Sequence, residues 1–191
     1  MKDVNNPMEN LRELIEELNL QKLKKKQFIV LKITDKNFKK ETISDLNLPM
    51  TIFKNLKFDE IEFKKIDLEL SSFENCSFKD CSFKNCYLGQ LNCSNCEFKN
   101  CQFVKSTIKD ADFDDVRFTN CNFLKNSFVE TWFRSCKFIN TSIEKNDNFD
   151  LILTIIVDST FGKSDKSITF NGEFFLDDIL LPSNKIDDLL S

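Results

Sequence analysis

Apolar residues recur along this chain at every fifth position. From Phe28 to Ile143 each fifth residue is apolar, and 16 of these 24 positions are Phe. A period of five fits neither an α-helix, which repeats every 3.6 residues, nor a plain β-strand, which repeats every two. Each five-residue unit is therefore predicted to be a short extended segment followed by a corner.

The residues around each apolar centre define the unit further. Two positions before the centre stand small side chains such as Cys76 and Ala111. Residues two apart in an extended segment share a face, so the small residue and the centre should both point inward. Two positions after the centre stand residues such as Asn75 and Asp80, which tolerate tight turns and mark the corner. The sequence thus predicts stacked coils around an interior filled by alternating small and large side chains.

The units CSFKD, CSFKN, CEFKN, ADFDD and CNFLK resemble those of the pentapeptide-repeat family. This resemblance implies an all-β solenoid, a right-handed quadrilateral β-helix with four units per coil. It is strong from Leu46 to Ile143. From Phe28 to Asp45 it is degenerate, because Lys36 and Glu41 stand at inward positions that favour small residues. Whether the first coil is regular stays open at this point.

Both ends of a solenoid expose strand edges and core, so both are expected to be capped. Residues 1–27 are predicted to form an amphipathic N-terminal capping helix. Residues 28–148 are predicted to form the repeat β-helix, with 28–45 degenerate. Residues 149–191 are predicted to form a C-terminal capping segment of mixed structure.

Local signals refine the two caps. Asn5 or Asn6 is the expected N-cap of the helix, with Pro7 at its first helical position. In the C-terminal segment, the apolar run 149–157 predicts a buried strand, and Asn171-Gly172 is the signal of a β-hairpin turn.

The eight Cys and the absence of His limit the chemistry. Seven Cys occupy the small inward position, and Cys93 occupies the Phe position. Without His, and with a lone CxxC at Cys93 and Cys96, no metal site is expected. With four units per coil, Cys81, Cys101 and Cys121 would stack at roughly the 4.8 Å strand spacing. We expect buried, free, structural thiols.

No catalytic constellation stands out in the sequence. His, the commonest general base, is missing, and no glycine-rich phosphate loop or nucleophile elbow occurs. We therefore expect no enzyme activity and no cofactor. The N-terminus lacks a signal-peptide pattern, and Leu151 to Val157 is too short to span a membrane. The expected location is cytoplasmic, with no membrane partner.

Charge is distributed unevenly. Residues 28–143 carry 17 Lys and Arg against 16 Asp and Glu, whereas residues 144–191 carry 4 against 10. With four units per coil, the side containing Phe78 and Phe98 has a net charge of +4, and the side containing Phe113 has about −2. A near-neutral solenoid is a poor mimic of duplex DNA. Direct binding to nucleic acid is not expected.

Apolar groups at outward positions of the later coils favour a protein partner of unknown identity. The alternative for these groups is that Phe149 to Val157 folds back over them. We predict a non-catalytic protein–protein interaction scaffold, and nothing in the sequence supports a homodimer. The candidate partner-binding residues are Val104, Leu124, Val129, Trp132 and Ile139, with the acidic residues Asp112, Asp114 and Asp115.

A second function is implied by the resemblance. The phrases NCSFKDCSF and NCEFKNCQF are similar to those of the quinolone-resistance and microcin-immunity types within the family. That similarity implies a DNA mimic that binds DNA gyrase or topoisomerase IV and confers quinolone or toxin resistance. A continuous acidic side would favour this alternative, whereas an apolar or mixed patch would favour the scaffold.

Overall fold

The computed structural model describes residues 10–17, 30–144 and 146, and the backbone of strands between residues 149 and 182. Helix α1 spans residues 11–17. The strands of these residues are β1 (Leu31–Thr34), β2 (Asn37–Ser44), β3 (Thr51–Lys54), β4 (Lys57–Lys64), β5 (Ser72–Glu74), β6 (Ser77–Lys79), β7 (Ser82–Lys84), β8 (Tyr87–Gly89), β9 (Asn92–Ser94), β10 (Glu97–Lys99), β11 (Gln102–Val104), β12 (Thr107–Lys109), β13 (Asp112–Asp114), β14 (Arg117–Thr119), β15 (Asn122–Leu124), β16 (Ser127–Val129), β17 (Trp132–Arg134), β18 (Lys137–Ile139), β19 (Ser142–Glu144), β20 (Phe149–Ile152), β21 (Ile155–Val157), β22 (Thr160–Phe161), β23 (Ile168–Asn171), β24 (Glu173–Leu176) and β25 (Ile179–Pro182).

Four units make one coil, which confirms the predicted solenoid. Phe98 pairs in parallel with Phe78, four units earlier, and with Phe118, four units later. The stacked strands form four faces. Face 1 contains β1, β3, β5, β9, β13 and β17; face 2 contains β6, β10, β14 and β18; face 3 contains β7, β11, β15 and β19; face 4 contains β8, β12 and β16. Strands β2 and β4 run around the corner between faces 2 and 3 and join those faces into one sheet.

The apolar centres form the core. Every centre from Ile33 to Ile143 is buried. Phe rings of successive coils stack in parallel, as in Phe78 and Phe98, whose centroids lie 4.4 Å apart. Rings of adjacent faces meet edge to face, as in Phe73 and Phe78 at 5.1 Å. Both arrangements are favourable for aromatic quadrupoles, which explains why the centre selects Phe.

The corners adopt left-handed backbone geometry. Every fifth residue from Asp35 to Asn140 has φ between 48° and 58°. Asn and Asp tolerate this region better than other non-Gly residues, which explains their frequency at these positions. The corner N–H groups bond to the next coil, as in Asn75 N, which donates to Ser94 O at 3.1 Å. The predicted corner position is confirmed.

The small inward residues do more than fill space. Cys101 Sγ donates to Phe78 O at 3.5 Å, and Asn126 Nδ2 donates to Phe103 O at 2.9 Å. Ser106 Oγ makes the same contact with Phe83 O at 3.3 Å. Each of these side chains therefore satisfies a backbone carbonyl of the preceding coil. The inward residues therefore form hydrogen bonds between coils in addition to filling the interior.

The N-terminal helix is held by the first coil. Leu11 and Ile15 are buried in the solenoid core. Asn10 is the N-cap, because its Oδ1 accepts from Glu13 N at 3.1 Å. The carboxylate of Glu41 accepts from the N–H groups of Leu11 and of Arg12. The proposed caps Asn5, Asn6 and Pro7 lie outside the described residues.

The first coil is regular from Leu31 onward. β1 pairs with β3 and β2 pairs with β4, each in the register of a full four-unit coil. The corner residues Asp35, Lys40 and Asp45 have the same positive φ as later corners. The unusual inward Glu41 is accommodated because the end of the solenoid is closed by α1 rather than by another coil.

The C-terminal strands extend the stack. β20 pairs with β17 and β21 pairs with β18, both in parallel. Phe133 pairs with Leu151, whereas a full four-unit coil would bring it opposite position 153, so this coil is shorter than the others. The alternative that Phe149 to Val157 folds back over the outer surface is therefore wrong, because β20 and β21 continue the sheets. The shortened coil also explains why the five-residue pattern ends in the sequence.

The hairpin predicted at Asn171–Gly172 is wrong as well. β23 pairs in parallel with β20, whereas β24 pairs in parallel with β21. The two strands that flank Asn171–Gly172 thus belong to different sheets. The antiparallel partner of β24 is β25. Stacking on the preceding coil overrides the local turn signal.

Candidate interaction surface on the last coils

The structure distributes the eight predicted contact residues over all four faces. Face 1 gathers the largest group, with Asp112 and Asp114 on β13, Trp132 on β17 and Asp115 at the adjoining corner. The other four are placed elsewhere: Val104 and Leu124 are neighbours on face 3, Val129 lies on face 4 and Ile139 on face 2.

Trp132 is the most prominent side chain of this group. It occupies an outward position next to Asp112 of the preceding coil, and 40% of its surface is exposed. The guanidinium carbon of Arg134 lies 5.9 Å from the centroid of the indole ring. A cation at this distance over a Trp ring is attracted by the quadrupole of the ring.

Arg134 is fixed by an ion pair. Its Nε donates to Asp112 Oδ1 at 3.1 Å, and its Nη2 bonds to Asp112 Oδ2. Two parallel hydrogen bonds give this pair a defined orientation. Both side chains are partly exposed, so the pair adds little to stability and acts mainly by holding the guanidinium beside Trp132.

Asp114 and Asp115 supply unpaired negative charge. Among the described residues, no cation lies within ion-pair distance of either carboxylate. These charges also act on the interior. Burial is the main cause that raises the pKa of the Cys136 thiol to about 12, and the negative charges of Asp114 and Asp115 raise it as well. We call Asp112, Asp114, Trp132 and Arg134 the Trp132 cluster. It combines an aromatic ring, a guanidinium and carboxylates within two adjacent coils.

A basic surface adjoins the cluster. The outward positions of face 2 include Lys99, Arg117 and Lys137, and none of these has a carboxylate within ion-pair distance in the described part of the chain. A groove of about 430 Å³ follows the corner between faces 1 and 2, and Asp115 and Arg117 are among its lining residues. Acidic and basic surfaces therefore meet along one corner of the solenoid.

Two kinds of site are absent from the described residues. No group of three or more His, Cys, Asp or Glu side chains lies in a metal-binding arrangement there. No helix in that part of the chain has the length and apolar composition needed to cross a membrane.

Arg134 was not identified from the sequence. Its partner Asp112 belongs to the preceding coil, 22 residues earlier in the sequence, so a pattern of neighbouring residues does not reveal the pair. The coil length supplies the missing signal. With four five-residue units per coil, outward positions 112 and 132 are neighbours, as are positions 114 and 134. An arginine at position 134 therefore lies within reach of both acidic side chains of β13.

Comparison with known proteins identifies the repeat. Residues 71–147 match the family model of the pentapeptide repeat region. No curated protein sequence matches the chain. Among solved structures, full-length QnrB1, a plasmid-mediated fluoroquinolone resistance protein, is similar over 71% of this chain and 94% of its own, at 12% identity and a TM-score of 0.35. HetL, a pentapeptide-repeat protein involved in heterocyst differentiation regulation in the cyanobacterium Nostoc sp. strain PCC 7120, is similar over 83% of this chain and 94% of its own, at 10% identity and a TM-score of 0.24. The matched segment and the four-unit coil together show that residues 71–147 form a pentapeptide-repeat region.

Proposed function

We propose that the chain is a non-catalytic scaffold that binds a protein partner through the Trp132 cluster. The observation that carries this proposal is the exposed indole of Trp132, held beside the guanidinium of Arg134 by its ion pair with Asp112. Trp and Arg are enriched among the residues that dominate binding energy at protein interfaces. Side chains that are already ordered lose less conformational entropy on binding.

The cluster specifies the chemistry of the partner. An apolar pocket would accept the Trp132 ring, and cationic groups around that pocket would face Asp114 and Asp115. The parallel sheets under the cluster keep these side chains on neighbouring coils, since each outward position is fixed by backbone pairing. The eight buried free thiols support a cytoplasmic location, where a reducing environment preserves them.

Quantitative affinity capture tests this proposal. The full-length protein and its Trp132→Ala variant would be used as bait, with Gln102→Ala as the control, because Gln102 is also outward and exposed but lies on face 3. We expect at least one captured protein to be retained by Gln102→Ala and lost with Trp132→Ala. Identical capture by all three baits would refute the role of the cluster.

The DNA-mimic role is the second candidate. Asp112, Asp114 and Asp115 favour it, since they form an acidic group on one side of the solenoid. The basic side chains of face 2, including Lys99 and Arg117, oppose it, because a polyanion mimic requires continuous negative charge. A gyrase supercoiling assay with and without a quinolone tests this role. Inhibition or drug protection that is lost in Asp114→Asn/Asp115→Asn would place it ahead of the scaffold.

A further inference from the structure

Opposite charges stand on the two sides of the corner between faces 1 and 2. Asp114 ends β13 on face 1 and Asp115 occupies the corner; we call them the acidic pair. Arg117 begins β14 on face 2 and Lys137 repeats its position in the next coil; we call them the basic pair. The acidic pair and Arg117 are exposed, and Lys137 is partly exposed. Within the described chain, no ion pair joins the acidic pair to the basic pair or either of them to another group.

The rest of this corner is polar and uncharged. The corner residues of the three coils before Asp115 are Asn55, Asn75 and Asn95, and all three are exposed. Asn75 Nδ2 donates to Asn55 Oδ1 at 3.4 Å, which links amides of successive coils along the solenoid axis. A groove of about 370 Å³ follows these amides, and it shares Asn95 and Glu97 with the groove beside Asp115. The corner is thus a continuous polar surface that ends in two acids and two bases.

This corner is complementary to itself under one symmetry. A two-fold axis parallel to the solenoid axis places two copies corner to corner and sets face 1 of each copy opposite face 2 of the other. Residues of the same coil then meet at the same height, so Asp115 of each copy lies opposite Arg117 of the other. A two-fold axis perpendicular to the solenoid axis would instead set face 1 opposite face 1 and bring like charges together. A two-fold dimer requires a surface of this self-complementary kind.

We propose that this corner is the interface of a homodimer in which two copies lie side by side and parallel. The acidic pair of each copy would bind the basic pair of the other, and the asparagine amides would meet along the rest of the contact. Complementary charge fixes the orientation of a contact more than its affinity. The dimer should therefore be weak and sensitive to salt. It does not require Trp132, which lies at the other end of β17, or the protein partner of the proposed function.

Sedimentation velocity of the full-length protein over a concentration series tests the proposal. We expect a concentration-dependent dimer at about 0.01 M salt and a monomer at about 1 M salt, where exposed charges are screened. A monomer under both conditions would overturn the proposal. A dimer that persists unchanged at the higher salt would also overturn it.

Charge reversal makes the test specific to this corner. Asp115→Lys and Arg117→Glu should each raise the dimer dissociation constant at least about tenfold, because each sets like charges opposite one another. Lysine is compatible with a corner, since Lys105 and Lys125 adopt the same positive φ. The double variant Asp115→Lys/Arg117→Glu should dimerise more tightly than either single variant. Glu130→Lys is the control and should dimerise as the original protein does, because Glu130 is an exposed acid at the corner between faces 4 and 1. Equal losses in Glu130→Lys and Asp115→Lys would overturn the proposal.

Cross-linking tests the parallel arrangement. Asn55→Cys and Asn95→Cys each add one exposed thiol to a chain whose own eight thiols are buried, and the two positions are two coils apart. In the parallel dimer every corner residue faces its own copy, so a short bismaleimide should link both variants into dimers at low salt. A link from only one of the two variants, or from neither, would contradict the parallel arrangement.

Discussion

The carboxylate of Glu41 accepts a hydrogen bond from the backbone N–H of Leu11 at 3.0 Å, joining the first coil to the N-terminal helix. The same carboxylate accepts from Arg12 N, also at 3.0 Å. N–H groups in the first turn of a helix have no partner inside the helix. Glu41 supplies that partner, so one side chain caps α1 and fixes it over the open end of the solenoid.

Replacing Glu41 should weaken the attachment of α1 to the first coil. We expect Glu41→Ala to lower the free energy of unfolding by about 1–2 kcal/mol, since it removes a cap and leaves two donors unsatisfied. Urea denaturation measures the loss, and hydrogen exchange should show residues 11–17 losing protection first. Glu60→Ala is the control, because Glu60 is an exposed corner residue. Equal effects of the two substitutions would show that Glu41 does not anchor the helix.

The two environments of cysteine predict different responses to serine. Cys101 Sγ donates to Phe78 O and Lys99 O, and Ser106 makes the equivalent bonds in its own position. Cys93 occupies a Phe position and, within the described structure, donates to no backbone carbonyl. Cys101→Ser should therefore change stability by less than about 1 kcal/mol, and Cys93→Ser should cost about 1–3 kcal/mol. Thermal or urea unfolding of both variants measures the two losses of stability. A larger loss in Cys101→Ser than in Cys93→Ser would contradict the prediction.

Much of this fold follows from the sequence because the period of five is enforced by the core. Each centre must be apolar, and each corner must adopt a positive φ, so both positions leave a mark in the residue types. The hydrogen bonds of the inward residues leave no such mark, because Cys, Ser and Ala have similar sizes and only the first two can donate. Asn126 is the exception, since an amide at an inward position requires hydrogen-bond partners, which Phe103 O and Asn146 Oδ1 supply.

The surface is less predictable for a related reason. Outward side chains are not constrained by the core, and their neighbours lie a full coil away along the chain. The Asp112–Arg134 pair becomes visible only when the coils are stacked. The hairpin prediction at Asn171–Gly172 is wrong for the opposite reason, because pairing with an earlier coil overrides a strong local turn signal.

The buried thiols predict a pH dependence of stability. Burial raises the pKa of Cys136 to about 12 and also raises the pKa of Cys86. An unfolded thiol ionises near pH 8.5, so above about that pH the unfolded chain loses protons that the folded chain keeps. The contribution of these two thiols to the free energy of unfolding should therefore fall as pH rises from about 8 to 10, below the range where lysines titrate. Cys136→Ser should show a shallower fall, and parallel curves would contradict the assignment.

The single Trp makes the Trp132 cluster measurable by fluorescence. Because Arg134 covers part of the indole, Arg134→Ala and Asp112→Ala should both increase quenching of Trp132 emission by acrylamide. Arg117→Ala, on face 2, is the matched control and should leave quenching unchanged. An unchanged quenching constant in Arg134→Ala would mean that the guanidinium does not lie beside the ring.

Site-directed photo-crosslinking tests most directly whether the Trp132 cluster is the contact surface of a protein scaffold. A photo-reactive benzoylphenylalanine would replace Trp132 in one protein and Gln102, an exposed residue on face 3, in another. A contact surface at the cluster predicts a discrete crosslinked partner from position 132, absent from position 102 and lost when Arg134→Ala is added. A partner crosslinked only from position 102, or from both positions alike, would contradict it.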